Sequence, residues 1–371
     1  MSSERFERGL PDVLTTADGE LVETAEQWRL KRRPEIVELF REFVYGREAV
    51  QRPAALSFQV VGTDGAMDGR AVRKQIDIKY EGPGGHGVIH LLLFVPVGRE
   101  KPSKSFLFIN NRGADHMDPA RERQSKFWPA ERIVERGYAA AVIDNEDLDP
   151  DVDDGFRNGV HGIFDPFGGS RPVNAWGAVA AWAWGASRVM DYLETDPDVD
   201  AASVAIVGHS RGGKAALWAG ALDERFAMVV SNNSGCTGAA LARGNRGETI
   251  KDINERFPHW FNANYKRFNG REEALPVDQH MLLSLVAPRP VYVASATRDD
   301  WADPVSEFLS LVHAAPVYRL FGCPTIRAEQ FPLPDTPLHA GRMGYHLRTG
   351  EHDLTEYDWD RFMDFADRHP V

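Results

Sequence analysis

The sequence predicts an α/β protein, a three-layer sandwich with a mostly parallel central sheet between helices, and three observations carry that prediction. Short apolar runs recur along the chain, as fully buried parallel strands do. Helical patterns separate several of them. At one junction of strand and helix, VAIVGHSRGGKAAL, a serine stands between glycines.

The elements follow in order. The first 20 residues are polar and weakly patterned, and are expected as an N-terminal extension (1–20) ahead of a single catalytic domain (21–371). EQWRLKRRPEIVELFREFVYG has helical periodicity, with Ile36, Leu39, Phe40 and Phe43 on one stripe. SFQVVGT and VRKQIDIKY alternate like strands with one solvated face, and with HGVIHLLLFVPVG they predict an antiparallel lead-in. The buried strands are SFLFIN (105–110), YAAAVID (138–144), VAIVG (204–208), FAMVVSN (226–232) and RPVYVAS (289–295). AWGAVAAWAWGASRVMDYLE (175–194) and KAALWAGAL (214–222) lie between them as helices. The chain shows no repeat, low-complexity tract or linker that would divide it.

Composition narrows the function classes. With 371 residues, 43% of them hydrophobic and 26% charged, the chain can build a sizeable core. A formal charge of −12 argues against nucleic acid, which is bound by clustered Lys and Arg. No apolar run approaches the roughly 18–20 residues of a membrane span. MSSERFERGLPDVL lacks the apolar core of a secretory signal, so the chain as given reads as cytoplasmic, or as secreted or periplasmic if a leader was removed. Cys236 and Cys323 are too few for a disulfide framework and are expected as buried free thiols.

One acidic loop, EDLDPDVDDGFRNG, places Asp149, Asp151 and Asp153 at alternate positions. A calcium loop of the EF-hand type needs Gly at its sixth position and Glu at its twelfth. Asp154 and Val160 stand there, so a solvated turn is expected.

Gly208, Ser210 and Gly212 form G-x-S-x-G directly after a strand and directly before a helix, the turn on which α/β-hydrolases lift a nucleophile above the sheet. Ser210 is therefore the candidate nucleophile. A serine needs a base oriented by a carboxylate, and in this fold the chain order is serine, acid, histidine. RPVYVAS is followed by Asp299, Asp300 and Asp303; Asp299 comes first after the strand, whereas Asp303 suits a cap for the helix beginning near Pro304. Beyond them lie His313, His339, His346, His352 and His369. His346 falls in a last strand, MGYHLRT, and His352 in the turn TGEHDLTEYDW that enters a final helix, which favours His352 over His339 as the base. The spacing of these histidines matches no common zinc pattern, and no metal or cofactor is expected. Arg112, in FINNRGAD, follows another buried strand without an assigned role.

Arg211 and Lys214 remain unexplained by that motif. Cations in the first turn of a helix each cost roughly 0.3–1 kcal/mol against its dipole. Something other than helix stability has to hold them there.

GHSRGGKAALWAGALDERFAMVVSNNSG, ALPVDQHMLLSLVAPRPVYVAS, DWADP and RTGEHDLTEYDW resemble the bacterial branch of the glucuronoyl esterases, carbohydrate esterase family 15. The resemblance runs from about residue 10 to 368, and its hallmark, G-x-S-R-x-G-K, stands at Gly208 to Lys214. It implies an α/β-hydrolase that cleaves esters of (4-O-methyl)glucuronic acid, with Ser210 as nucleophile, His352 as base and Arg211 as an oxyanion donor. Lys214, Glu248 and Trp301 match positions that contact the sugar acid. Fungal members carry the acid in an E-S-G sequence after the next strand; Asn233, Ser234 and Gly235 stand there, which leaves the role to Asp299, the alternative position of bacterial members.

The expected substrate is thus a glucuronate ester or a glucuronoxylan-derived fragment, taken by a monomer. Acetyl-xylan esterase activity uses the same triad and is the alternative; a catalytically inactive carbohydrate-binding relative is the reading from another class.

Overall fold

The computed structural model describes residues 8–98, 102–165 and 170–369. Ten strands form one sheet: β1 (Leu56–Ala66), β2 (Ala71–Gly82), β3 (Gly85–Pro96), β4 (Ser103–Asn110), β5 (Ala139–Asp144), β6 (Val199–His209), β7 (Met228–Asn232), β8 (Val291–Ala296), β9 (Leu338–Ala340) and β10 (Met343–Arg348). Their order across the sheet is β1-β2-β3-β5-β4-β6-β7-β8-β10-β9. The lead-in β1-β2-β3 is antiparallel and joins β5 antiparallel. From β5 through β10 every neighbouring pair is parallel, and the short β9 closes the edge antiparallel to β10.

Both faces of the parallel strands are buried, which is why these strands read as unbroken apolar runs. On β4, Leu107 and Ile109 enter one core while Phe106 and Phe108 enter the other, because successive side chains point to opposite faces. The first core holds the helices Ala178–Leu193 and Arg211–Leu222, including Trp182, Met190 and Leu217. The second holds Ala130–Glu135 and Glu356–Ala366, including Trp359 and Phe362. Full burial of each such large side chain contributes roughly 1.5–3 kcal/mol.

The segment expected as an extension packs on this body from residue 8 onward. Val13 is buried, its carbonyl accepts from Arg32 Nε at 3.1 Å, and Arg8 donates to Ser306 Oγ at 2.6 Å. The helix Arg33–Phe43 buries Ile36 and Phe40, with Leu39 and Phe43 half-buried beside them, as its periodicity predicts. Among the described residues no helix is long and apolar enough to cross a membrane.

Topology decides where chemistry can sit. The loops after β4, β5, β6, β7, β8 and β10 leave the sheet at the carboxyl ends of its parallel strands, where open α/β sheets place their binding crevices. Ser210, Asp299 and His352 lie in the loops after β6, β8 and β10.

Candidate active site

Ser210 follows β6 directly and precedes the helix Arg211–Leu222. Its φ of 55° and ψ of −124° place a non-glycine residue in a strained region, the kind of turn that exposes a nucleophile at the cost of about 1–3 kcal/mol. The turn is tight enough that a Cβ on Gly208 would lie 1.9 Å from the Gly212 carbonyl oxygen, so that position tolerates only glycine. Ser210 N donates to Asn232 O at 2.9 Å, which ties the elbow to the end of β7. The first N–H groups of the helix, on Arg211 and Gly212, have no carbonyl one turn back to bond and are free to serve a ligand.

Asp299 and His352 meet at 2.6 Å between Oδ2 and Nδ1, across the loops that follow β8 and β10. Asp299 is only 4% exposed. Burial opposes its ionisation, but the hydrogen bond and charge of His352 and the amide of Asn233 outweigh burial and hold the carboxyl below its ordinary value. Ser210, Asp299 and His352 line one cavity of about 300 Å³. The competing candidates are occupied elsewhere: Asp303 caps the helix Pro304–Leu320 through Ser306 N, and His346 is buried in β10 against Asp358 at 2.8 Å. Arg112 pairs with Asp353 at 2.6 Å and lies over the Phe127 ring.

The two cations of the first helical turn are fixed by the protein. Lys214 is 3% exposed, and its ammonium donates to Ser234 O at 2.6 Å and to Cys236 O, with Glu248 Oε2 at 4.0 Å. Arg211 donates through Nη2 to Asn111 O at 2.9 Å, and its Nε forms an ion pair with Asp151 Oδ2 at 2.6 Å. These partners offset the unfavourable dipole.

That ion pair corrects one expectation. The acidic loop is solvated only in part: Asp153 is exposed, but Asp149 is buried and bonds His161 Nδ1 at 2.8 Å, and the half-buried Asp151 accepts from His259 Nε2 at 2.9 Å and Trp260 Nε1 at 2.7 Å. Charged side chains take such burial only when paired, and Asp149 finds His161 12 residues along the chain while Asp151 finds His259 and Trp260 108 and 109 residues along. Of the thiols, Cys236 is buried and Cys323 half-buried, and both are free.

The cavity lining is also aromatic and charged. Phe257 and Trp260 stack at 3.8 Å with ring planes 3° apart, and Trp301 presents a ring that is 48% exposed. The Arg256 guanidinium lies 5.4 Å from the Trp301 centroid and 3.8 Å from Glu248. Glu248 N donates to Trp301 O at 2.9 Å; this approach is so close that a Cβ on Gly247 would lie 2.2 Å from the same oxygen. Lys214, Glu248 and Trp301, distant in sequence, thus face one cavity with Ser210 and His352.

Sequence reasoning did not find three further residues. Asn233 Nδ2 donates to Asp299 Oδ2 at 2.7 Å, so this amide orients the acid. His209 is fully buried, with its ring 4.6 Å from that of His352, and Nδ1 donates to Asn232 Oδ1; burial, with the His352 charge beside it, pushes its pKa well down and keeps it neutral. Glu307 lies beneath the site, taking hydrogen bonds from Ser295 Oγ at 2.6 Å and Gly235 N at 2.9 Å. The one available signal was that His209 and Asn233 flank strand ends that the buried runs already mark.

A family model described as glucuronyl esterase, fungi, matches residues 129–322. The carbohydrate esterase MZ0003, from an unknown prokaryotic organism, is 40% identical over 97% of this chain and 89% of its own. Among solved structures, a glucuronoyl esterase from Solibacter usitatus superposes with a TM-score of 0.90 at 41% identity, covering 96% of this chain and 97% of that one. A glucuronoyl esterase of carbohydrate esterase family 15 from Teredinibacter turnerae gives 0.87 at 30% identity, covering 97% and 89%.

Proposed function

Since the chain belongs to the glucuronoyl esterases, carbohydrate esterase family 15, an α/β-hydrolase family, we propose that it hydrolyses esters of (4-O-methyl)glucuronic acid through an acyl-serine on Ser210. The observation that carries the reading is a single cavity lined both by Ser210 and the Asp299–His352 pair and by Lys214, Glu248 and Trp301.

Ser210 Oγ attacks the C6 carbonyl carbon while His352 Nε2 takes its proton. Asp299 holds the imidazole by its Nδ1–H and balances the charge that forms. The oxyanion is met by the first N–H groups of the helix and by the guanidinium of Arg211, fixed donors of a kind whose individual removal costs about 10²–10³ in turnover. His352 then protonates the leaving alcohol, and water repeats the sequence to release the acid.

Glu248 and Lys214 engage the sugar hydroxyls, and Trp301 offers its ring to the apolar C–H face of the pyranose. Trp301→Ala is expected to raise KM about fivefold with kcat nearly unchanged, the loss of a contact worth about 1 kcal/mol in ground and transition states alike. Lys214→Met is expected to raise KM as well and also to lower the melting temperature, because two buried carbonyls lose their donor at about 1–3 kcal/mol. Michaelis kinetics on both variants check the split; a fall in kcat with unchanged KM would remove these residues from sugar binding.

Substrate choice is tested by comparing benzyl and methyl glucuronate with an acetylated xylan. The uronate esters are expected to have the higher kcat/KM. Clear preference for the acetate would make the protein an acetyl-xylan esterase.

A further inference from the structure

The acidic loop has more to do than fold. Asp151, after β5, spends both carboxylate oxygens on the walls of the cavity: Oδ2 lies 2.6 Å from Arg211 Nε, and Oδ1 accepts from His259 Nε2 and Trp260 Nε1 at 2.9 and 2.7 Å. Arg211 has a second tether, Nη2 to Asn111 O, so a guanidinium on a long flexible stem is held at two of its nitrogens. We propose that Asp151 is a positioning residue for the reaction, fixing the Arg211 guanidinium toward the oxyanion while anchoring the Trp260 wall opposite it.

The chemistry argues for orientation rather than charge. A carboxylate beside a cationic donor weakens its field at the oxyanion, so Asp151 helps only if fixing the guanidinium gains more than its charge loses. A preorganised donor costs no reorganisation when the oxyanion forms, and an unfixed one does. Asp151 is in the ionised form that holding a guanidinium requires. Burial opposes that ionisation, but His259, Trp260 and Arg211 together hold its carboxyl below the ordinary value. His259 and Trp260 do not move freely either. Their carbonyls accept from Ala178 N and Val179 N at the start of a core helix, which makes the Asp151 carboxylate a strut between two rigid elements.

This inference rests on Arg211 serving the oxyanion. The test is a double-mutant cycle of Asp151→Asn and Arg211→Ala, read on benzyl glucuronate. Asparagine keeps an oxygen for His259 and Trp260 but turns a donor toward Arg211. Asp151→Asn is expected to lower kcat about tenfold or more with KM within about threefold, and to change kcat less than about twofold when Arg211 is already alanine. If Arg211→Ala lowers kcat and Asp151→Asn does not, or if Asp151→Asn costs the same in both backgrounds, the positioning role is overturned and the oxyanion role of Arg211 stands. If Arg211→Ala leaves kcat unchanged, both fall. Should Asp151→Asn not fold, Asp151→Glu, which keeps the charge and displaces it by one methylene, is run through the same cycle and judged by the same outcomes.

Discussion

Ser210→Ala is expected to abolish hydrolysis of glucuronate esters and Asp299→Asn to lower kcat about 10⁴-fold, the scale on which a buried triad acid acts when an amide leaves its histidine in the wrong tautomer. Both variants are expected to fold and to bind the uronate product. Residue 233 makes the second variant informative. Asn233 Nδ2 reaches the same Asp299 oxygen that His352 Nδ1 reaches, at 2.7 and 2.6 Å, so the side chain at 233 stands one hydrogen bond from the contact between acid and base. Asn233→Glu in the Asp299→Asn background is therefore expected to recover about tenfold or more of the lost kcat, by restoring a carboxylate from the end of β7. Steady-state kinetics on benzyl glucuronate read the whole series. If Asp299→Asn keeps more than about a tenth of the wild-type kcat, the triad acid is another residue. If hydrolysis is absent from the wild type while binding persists in Ser210→Ala, the protein is a binding relative and not an esterase.

Ser210, Asp299 and His352 were legible because each obeys a local rule. Ser210 lies in a motif whose glycines have a steric reason, and Gly208 shows that reason in a 1.9 Å approach. Asp299 and His352 follow from chain order once the buried strands are marked, since periodicity fixes where β8 and β10 end. What stayed hidden depends on partners brought together only by the fold. Asp149 and Asp151 stand among Leu148, Pro150 and Val152 in a short acidic stretch that reads as a turn, and only His161, His259, Trp260 and Arg211 take up their charges. Strand β9 is three residues long and lies below any periodicity, and no pattern in the chain says that β5 rather than β4 should adjoin β3. Glu307 was the least legible. In PVSEFLSLV it is an acid in the first turn of a helix, a favourable surface position by dipole alone, yet it is fully buried.

That burial makes the stability of the fold depend on pH through Glu307. Burial pushes its carboxyl from an ordinary 4.5 up to about 8, with the nearby Asp299 charge adding to the rise, against the hydrogen bonds from Ser295 Oγ and Gly235 N that favour the anion. Between those two values the folded protein holds a proton that the unfolded chain releases. Stability should therefore fall by about 1.4 kcal/mol per pH unit from pH 4.5 towards 8 on account of this group, and level off above. Asp299 has the opposite sign, a lowered carboxyl whose contribution is lost only as the pH falls below the ordinary carboxylate range, so the two effects occupy different windows. Glu307→Gln, neutral at every pH, has no proton to surrender. Urea unfolding of the two proteins from pH 5 to 8.5 is expected to show the variant gaining on the wild type across the window, by on the order of 4 kcal/mol in all. Profiles that run parallel would mean that Glu307 is ionised in the folded protein throughout, with Ser295 and Gly235 outweighing its burial.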